Sequence, residues 1–135
     1  MIIAIAKCMD KGNGSYSINN IYLKDGKSIV SRNADWTGSS LHEGNVCSAI
    51  AAVKDAKAIK ENLGDDELIL VSDDMGVVGL ENGFAPDSAR MELLTDCFVR
   101  SGMKITIVPA TGKYEKYYLG TKAAPAAANK GREAA

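Results

Sequence analysis

A four-residue apolar run, Leu68-Ile69-Leu70-Val71, constrains the fold of this chain more than any other feature. The run has no polar alternation, and it ends abruptly at Ser72-Asp73-Asp74. A short continuous apolar run is typical of a parallel strand that is buried on both faces. Because such a strand needs helices on both sides of its sheet, the chain is predicted to be an α/β domain.

The segment before this run predicts a long helix. Ser40-x-x-Glu43 is a capping box, which opens a helix by satisfying its free N–H groups. Apolar residues then recur at helical spacing with alanines between them, and Gly64 is a typical left-handed helix end. The small alanines favour close packing of this helix on a sheet.

The segment after the run predicts two more helices and a last strand. Residues 75–81 favour a short helix, and a second helix begins at Asp87 or Ser88 and ends at Gly102. Residues 104–108 form a β-prone run that stops at Pro109.

The first third of the chain predicts three antiparallel strands. Residues 2–9 are apolar, and residues 15–23 alternate weakly. Asp25-Gly26 then separates two β-prone runs, which is a strong hairpin signal because both turn positions need a positive φ. Residues 28–31 complete the hairpin, and residues 33–40 are interpreted as a loop.

This order of elements resembles the ribonuclease H fold. The resemblance implies a five-stranded mixed sheet, three antiparallel strands followed by two parallel ones, flanked by helices. It spans nearly the whole chain, as a domain over residues 1–122, and residues 123–135 are interpreted as an Ala-rich C-terminal helix or a flexible tail. The most specific local match runs from Leu70 to Val77, which looks like the family's fourth strand with its terminal catalytic aspartate.

The resemblance implies a metal-dependent nuclease that hydrolyses the RNA strand of an RNA–DNA hybrid. In the family, four carboxylates hold two Mg²⁺ ions, which generate the attacking hydroxide and stabilise the leaving oxygen. Carried onto this sequence, the catalytic residues would be Asp73, Asp10, Glu43 and Glu133, and the first three would ligate metal. Glu133 follows from Asn129-x-x-x-Glu133, which is similar to a late motif of the family.

Two positions depart from the family's pattern. Lys7 falls where the family has an aspartate inside the first strand, and Asn45 falls where it has a glutamate in the first helix. These departures motivate an alternative, a catalytically degenerate domain that keeps the fold and binds nucleic acid or a protein partner. A third hypothesis is a small α/β interaction module outside the family, since a fold alone does not fix a function.

Each candidate carboxylate also has an ordinary structural role. Asp73, or its neighbour Asp74, suits the N-cap of the next helix, and Glu43 suits the capping box. Asp10 suits the turn that follows it, and Glu133 suits a solvated helix charge.

A basic and aromatic segment near the end of the chain favours nucleic-acid binding. Lys113 and Lys116 alternate with Tyr114 and Tyr117, which suits phosphate contact combined with base stacking. The alternative is a solvated loop whose tyrosines pack on the core.

The composition and the spacing of a few residue types argue against several other classes of protein. The 135 residues carry a net charge of -1, so the chain as a whole does not require an anionic partner. Three widely spaced cysteines are interpreted as buried free thiols, and the single histidine, His42, as a surface residue that makes a zinc site implausible. No apolar run is long enough to span a membrane, and the protein is predicted to be cytoplasmic.

Overall fold

The computed structural model describes residues 1–118, apart from the side chains of residues 62 and 63. The predicted C-terminal segment 123–135 lies outside the described residues. No helix in the described part is long and apolar enough to cross a membrane.

The centre of the molecule is a five-stranded mixed sheet in the order β3-β2-β1-β4-β5. The first three strands are antiparallel neighbours, whereas β4 runs parallel to β1, and β5 runs parallel to β4. This arrangement confirms the predicted fold class. The strands are β1 (Ile2–Gly12), β2 (Ser15–Lys24), β3 (Lys27–Thr37), β4 (Glu67–Ser72) and β5 (Lys104–Pro109).

The β2–β3 hairpin turns at the predicted dipeptide, where Asp25 has φ 53° and Gly26 has φ 77°. The loop predicted over residues 33–40 is wrong for most of its length, because β3 continues to Thr37. The cause is a cross-strand contact between Tyr16 and Trp36, which are paired in register with ring centroids 5.3 Å apart. Such aromatic pairs stabilise antiparallel strands.

The helices begin and end close to the predicted residues. They are α1 (Leu41–Leu63), α2 (Met75–Gly79) and α3 (Ala89–Ser101). The Ser40 hydroxyl accepts from the Glu43 N–H at 3.1 Å, and Gly64 ends α1 with φ 70°. Ser88 rather than Asp87 caps α3, since its hydroxyl accepts from the N–H of Met91 at 3.2 Å.

Apolar clusters pack on both faces of the sheet. On one face, even-numbered β1 residues such as Ala4 pack with α1 and α3 in the larger cluster. On the other face, Ile5 and its neighbours pack against the tyrosines of the segment that follows β5. Strand alternation therefore sends Lys7 towards those tyrosines and Cys8 towards α1.

The three cysteines are free, but they are not all buried as the sequence predicts. Cys8 is buried, whereas Cys47 and Cys97 are partly exposed. The difference arises because both lie on helix faces next to the groove between α1 and α3 rather than in the sheet.

Candidate functional site

The carboxyl ends of β1 and β4 form the candidate site. These strands pair in parallel up to Ile5 opposite Val71, and continuing that register by two residues brings Lys7 towards Asp73, which follows the end of β4. Asp73 directly follows the last residue of β4 and is exposed. Open α/β sheets place ligand sites beyond the carboxyl ends of their strands, so Asp73 occupies a position suited to function.

Lys7 holds the chain segment after β5 against one face of the sheet. The residue is 3% exposed, and its Nζ donates to the backbone oxygen of Tyr118 at 3.3 Å. The same Nζ lies 4.1 Å from the centroid of the Tyr118 ring. Burial, with the negative charge of Asp73 adding to it, raises the pKa of Tyr118 to about 12. The cluster therefore combines the amine of Lys7, a phenol that stays neutral at physiological pH and the side chain of Asp73.

Asn45 joins α1 to the same part of β1. Its Oδ1 accepts from the backbone N–H of Cys8 at 3.2 Å, and the residue is 7% exposed. A neutral amide suits this role because it satisfies a buried donor without bringing a charge into the interface.

The other two described carboxylates are each hydrogen-bonded to a residue of their own segment. Asp10 lies three residues beyond Lys7 on the opposite face of β1, and its Oδ1 accepts from the Gly12 N–H at 2.7 Å in the turn. Glu43 lies in the first turn of α1, where its carboxylate accepts from the Ser39 hydroxyl at 3.0 Å. Glu133 lies outside the described residues, so its assignment stays a prediction.

These residues do not fit a two-Mg²⁺ site. Among residues 1–118, no three His, Cys, Asp or Glu side chains lie together in a way that could hold a metal ion. Lys7 occupies the position on β1 where the resemblance requires a ligand, and hard cations prefer carboxylate oxygens. The predicted sharing of metal by Asp10, Glu43 and Asp73 is not supported by this arrangement.

Beside the site, His42 bridges two aspartates, an arrangement that the sequence does not predict. His42 Nδ1 lies 2.7 Å from Asp74, the N-cap of α2, and its Nε2 lies 3.3 Å from Asp87. Burial alone would lower the pKa of His42, but the hydrogen bonds and charges of the two carboxylates together raise it. No local signal predicts the bridge, since its members are 32 and 45 residues apart.

The basic and aromatic segment lies on the face of the sheet opposite α1. Lys113 Nζ is 5.2 Å from the ring centroid of Tyr114, and Lys116 Nζ is 5.0 Å from that of Tyr117. Both lysines are exposed, while the tyrosines pack partly against the second apolar cluster. These four residues line a groove of about 480 Å³ whose other walls include Ile3.

Three solved structures share this architecture. LC11-RNase H1 in complex with an RNA/DNA hybrid has a TM-score of 0.70 at 15% identity, over 81% of this chain and 84% of that one. The N-terminal RNase H domain of a Mycobacterium tuberculosis protein, solved as a fusion with maltose binding protein, has a TM-score of 0.65 at 14% identity. The match covers 87% of this chain and 91% of that one. RNase H1 from the halophilic archaeon Halobacterium salinarum has a TM-score of 0.61 at 16% identity, and the match covers 80% of this chain and 85% of that one.

The chain therefore has a ribonuclease H-like fold. No protein-family model matches its sequence, and no curated protein matches it. At 14–16% identity, the likeness establishes the architecture alone.

Proposed function

We propose that this chain is a ribonuclease H-like domain that binds nucleic acid without two-metal hydrolysis. The observation that carries the proposal is the Lys7 ammonium, which the register of β1 and β4 brings towards Asp73 and which is bound to Tyr118. A buried cation there replaces the negative charge that a pair of Mg²⁺ ions needs. The expected ligand is an RNA–DNA hybrid, the ligand named for one of the similar structures.

The surface best suited to the ligand is the groove beside Lys113 and Lys116. Its exposed ammonium groups can contact phosphates, and the half-buried rings of Tyr114 and Tyr117 give it a rigid aromatic wall. Because the whole chain is slightly acidic, the attraction has to come from Lys113 and Lys116, whose segment stays net positive in spite of the exposed Glu115. A cytoplasmic location remains a prediction.

Binding to a labelled RNA–DNA hybrid, measured by fluorescence anisotropy at several salt concentrations, tests this surface. The double variant Lys113→Gln/Lys116→Gln is expected to bind more weakly. The slope of log binding constant against log salt concentration should become shallower by about two, since each phosphate contact contributes about one to that slope. The matched control is Lys54→Gln/Lys57→Gln, which removes the same charge from exposed positions of α1 on the other side of the sheet.

The control is expected to leave the salt dependence nearly unchanged. Equal weakening by both double variants would contradict a defined binding surface and indicate a general charge effect. If the wild-type chain fails to bind the hybrid even at low salt, nucleic-acid binding is wrong, and an α/β domain that binds a protein partner becomes the better hypothesis.

A second candidate is the metal-dependent nuclease, favoured by the exposed Asp73 at the end of β4. Its assay is cleavage of the RNA strand of a hybrid in Mg²⁺ by the wild type, Asp73→Asn and, as a control, Asp66→Asn at an exposed position before β4. Under the binding proposal no variant cleaves. Cleavage that Asp73→Asn abolishes and Asp66→Asn preserves would establish the nuclease instead.

A further inference from the structure

Two cysteines belong to one small apolar cluster where β1 packs on α1. Cys8 is 4% exposed and forms a small apolar cluster with Tyr16 and Ile18. Cys47 belongs to the second turn of α1, is partly exposed, and packs against that cluster. Both thiols are free.

A glycine allows the helix to approach Cys8 closely. Gly44 lies one turn before Cys47 on the same side of α1, and a Cβ built on it would come within 2.4 Å of Cys8 Sγ. The neighbouring Asn45 accepts the N–H of Cys8, which fixes the spacing of strand and helix. Cys47 therefore extends from a helix whose backbone is already in contact with Cys8.

The surroundings give the two thiols different roles. Arg90 of α3 donates from Nη1 to Cys47 Sγ at 2.7 Å, and its guanidinium lies 5.6 Å from the Trp36 ring centroid. Cysteines that react with oxidants lie in such electropositive, partly exposed surroundings. Burial, followed by the proximity of Cys47 and Asp10, raises the pKa of the Cys8 thiol to about 11, so Cys8 is not the thiol that reacts first with an oxidant and can attack only after it loses its proton.

We propose that Cys47 and Cys8 form an oxidisable dithiol whose oxidant is hydrogen peroxide. The sulfur of Cys47 attacks one peroxide oxygen, the O–O bond breaks, and a sulfenic acid and one water form. The sulfur of Cys8 then attacks the sulfenic sulfur, the S–O bond breaks, and the hydroxyl leaves with the Cys8 proton as a second water. Two thiols are oxidised to one disulfide, and one peroxide is reduced to two waters.

The test uses the native full-length chain treated with hydrogen peroxide. Titratable thiols are expected to fall from three to one, and the intact mass to fall by about 2 Da through loss of two hydrogens. Tryptic digestion should link the peptide 8–11 to the peptide 33–54, while the peptide 91–100, which contains Cys97, stays free.

Variants separate the two roles. In Cys8→Ala, Cys47 is expected to stop as a sulfenic acid that dimedone traps, whereas the matched control Cys97→Ala should form the disulfide as the wild type does. Arg90→Gln is expected to slow the first step several-fold, because it removes the positive charge at Cys47.

Three results would overturn the proposal. They are three thiols persisting at a peroxide dose that oxidises the isolated peptide 33–54, a cross-link that includes Cys97, or no more dimedone adduct in Cys8→Ala than in the wild type. The peptide map of the wild-type chain decides the proposal even if Cys8→Ala fails to fold.

Discussion

Lys7 brings a charged group into the interior of the sheet, and changing this single residue tests what the charge does. Lys7→Met keeps most of the side-chain volume but removes the donor to the Tyr118 backbone oxygen. A hydrogen bond from a charged group contributes about 1.5–3 kcal/mol. We therefore expect amide exchange at residues 115–118 to accelerate roughly tenfold or more, measured by hydrogen–deuterium exchange.

The matched control for Lys7 lies four residues along the same strand. Lys11 is exposed and pairs with Asp35, itself largely exposed, at 3.3 Å. Lys11→Met should leave exchange at residues 115–118 unchanged, because exposed ion pairs contribute little. Equal acceleration in both variants would contradict a specific tether at Lys7.

A second residue-scale prediction concerns pH. The raised pKa of His42 means that its charged form is favoured in the folded chain by Asp74 and Asp87. The resulting stabilisation is fully present below the unfolded value of about 6.5 and is lost as pH rises through the higher folded pKa. With the imidazole 36% exposed, solvent screening limits the loss to roughly 0.5 kcal/mol.

Two measurements check the histidine prediction. NMR titration of the only histidine in the chain should give a midpoint above the usual value, and thermal unfolding followed from about pH 6 to 9 should show the small loss. His42→Gln should unfold with less dependence on pH over this range. A midpoint at or below 6.5 would show that burial outweighs the two carboxylates.

At the scale of elements, the packing of α1 on β1 depends on the absence of a side chain at Gly44. Gly44→Ala would improve helix propensity by about 1 kcal/mol. Its Cβ, however, would press on the Cys8 sulfur and come within 3.3 Å of the Trp36 ring. Because overpacking costs about 1–3 kcal/mol, we expect a net destabilisation of roughly 1 kcal/mol, measured by urea unfolding.

A double-mutant cycle isolates the cause of that destabilisation. In a Cys8→Ala background the sulfur is absent, so Gly44→Ala should be nearly neutral or stabilising. If the change destabilises equally in both backgrounds, contact with the sulfur is not the cause, and the Trp36 ring would be the remaining source of strain.

The elements differ in how well the sequence predicts them, and the difference follows the range of the interactions that determine them. Ser40, Gly64 and Asp25-Gly26 act on their own neighbours, so the helix start, helix end and hairpin are predictable from local chemistry. The length of β3 depends on the pairing of Trp36 with Tyr16, twenty residues earlier in the chain. No local pattern in residues 33–40 reports that contact.

At the scale of the whole molecule, the fold was predictable and the candidate site only in part. The order of elements was sufficient for the topology because parallel strands need crossover helices and antiparallel strands need only turns. The sequence position of Lys7 is sufficient to show that it departs from the family's pattern of carboxylates. Its partner Tyr118 lies 111 residues away, so only the assembled chain reveals what the ammonium binds.

The charge at this edge predicts how the whole molecule responds to Mg²⁺. Mg²⁺ at a free concentration 100 times its dissociation constant would stabilise the folded chain by about 2.7 kcal/mol. That stabilisation would raise the Tm of a domain of this size by several degrees. The wild type should instead match a control at equal ionic strength, because under the proposal the positive charge of Lys7 repels a cation at this end of the sheet. The double variant Lys7→Asp/Asn45→Glu replaces the ammonium and the amide with carboxylates, and Mg²⁺ should then raise its Tm. A rise of several degrees in the wild type would contradict the proposed loss of metal binding and favour the nuclease.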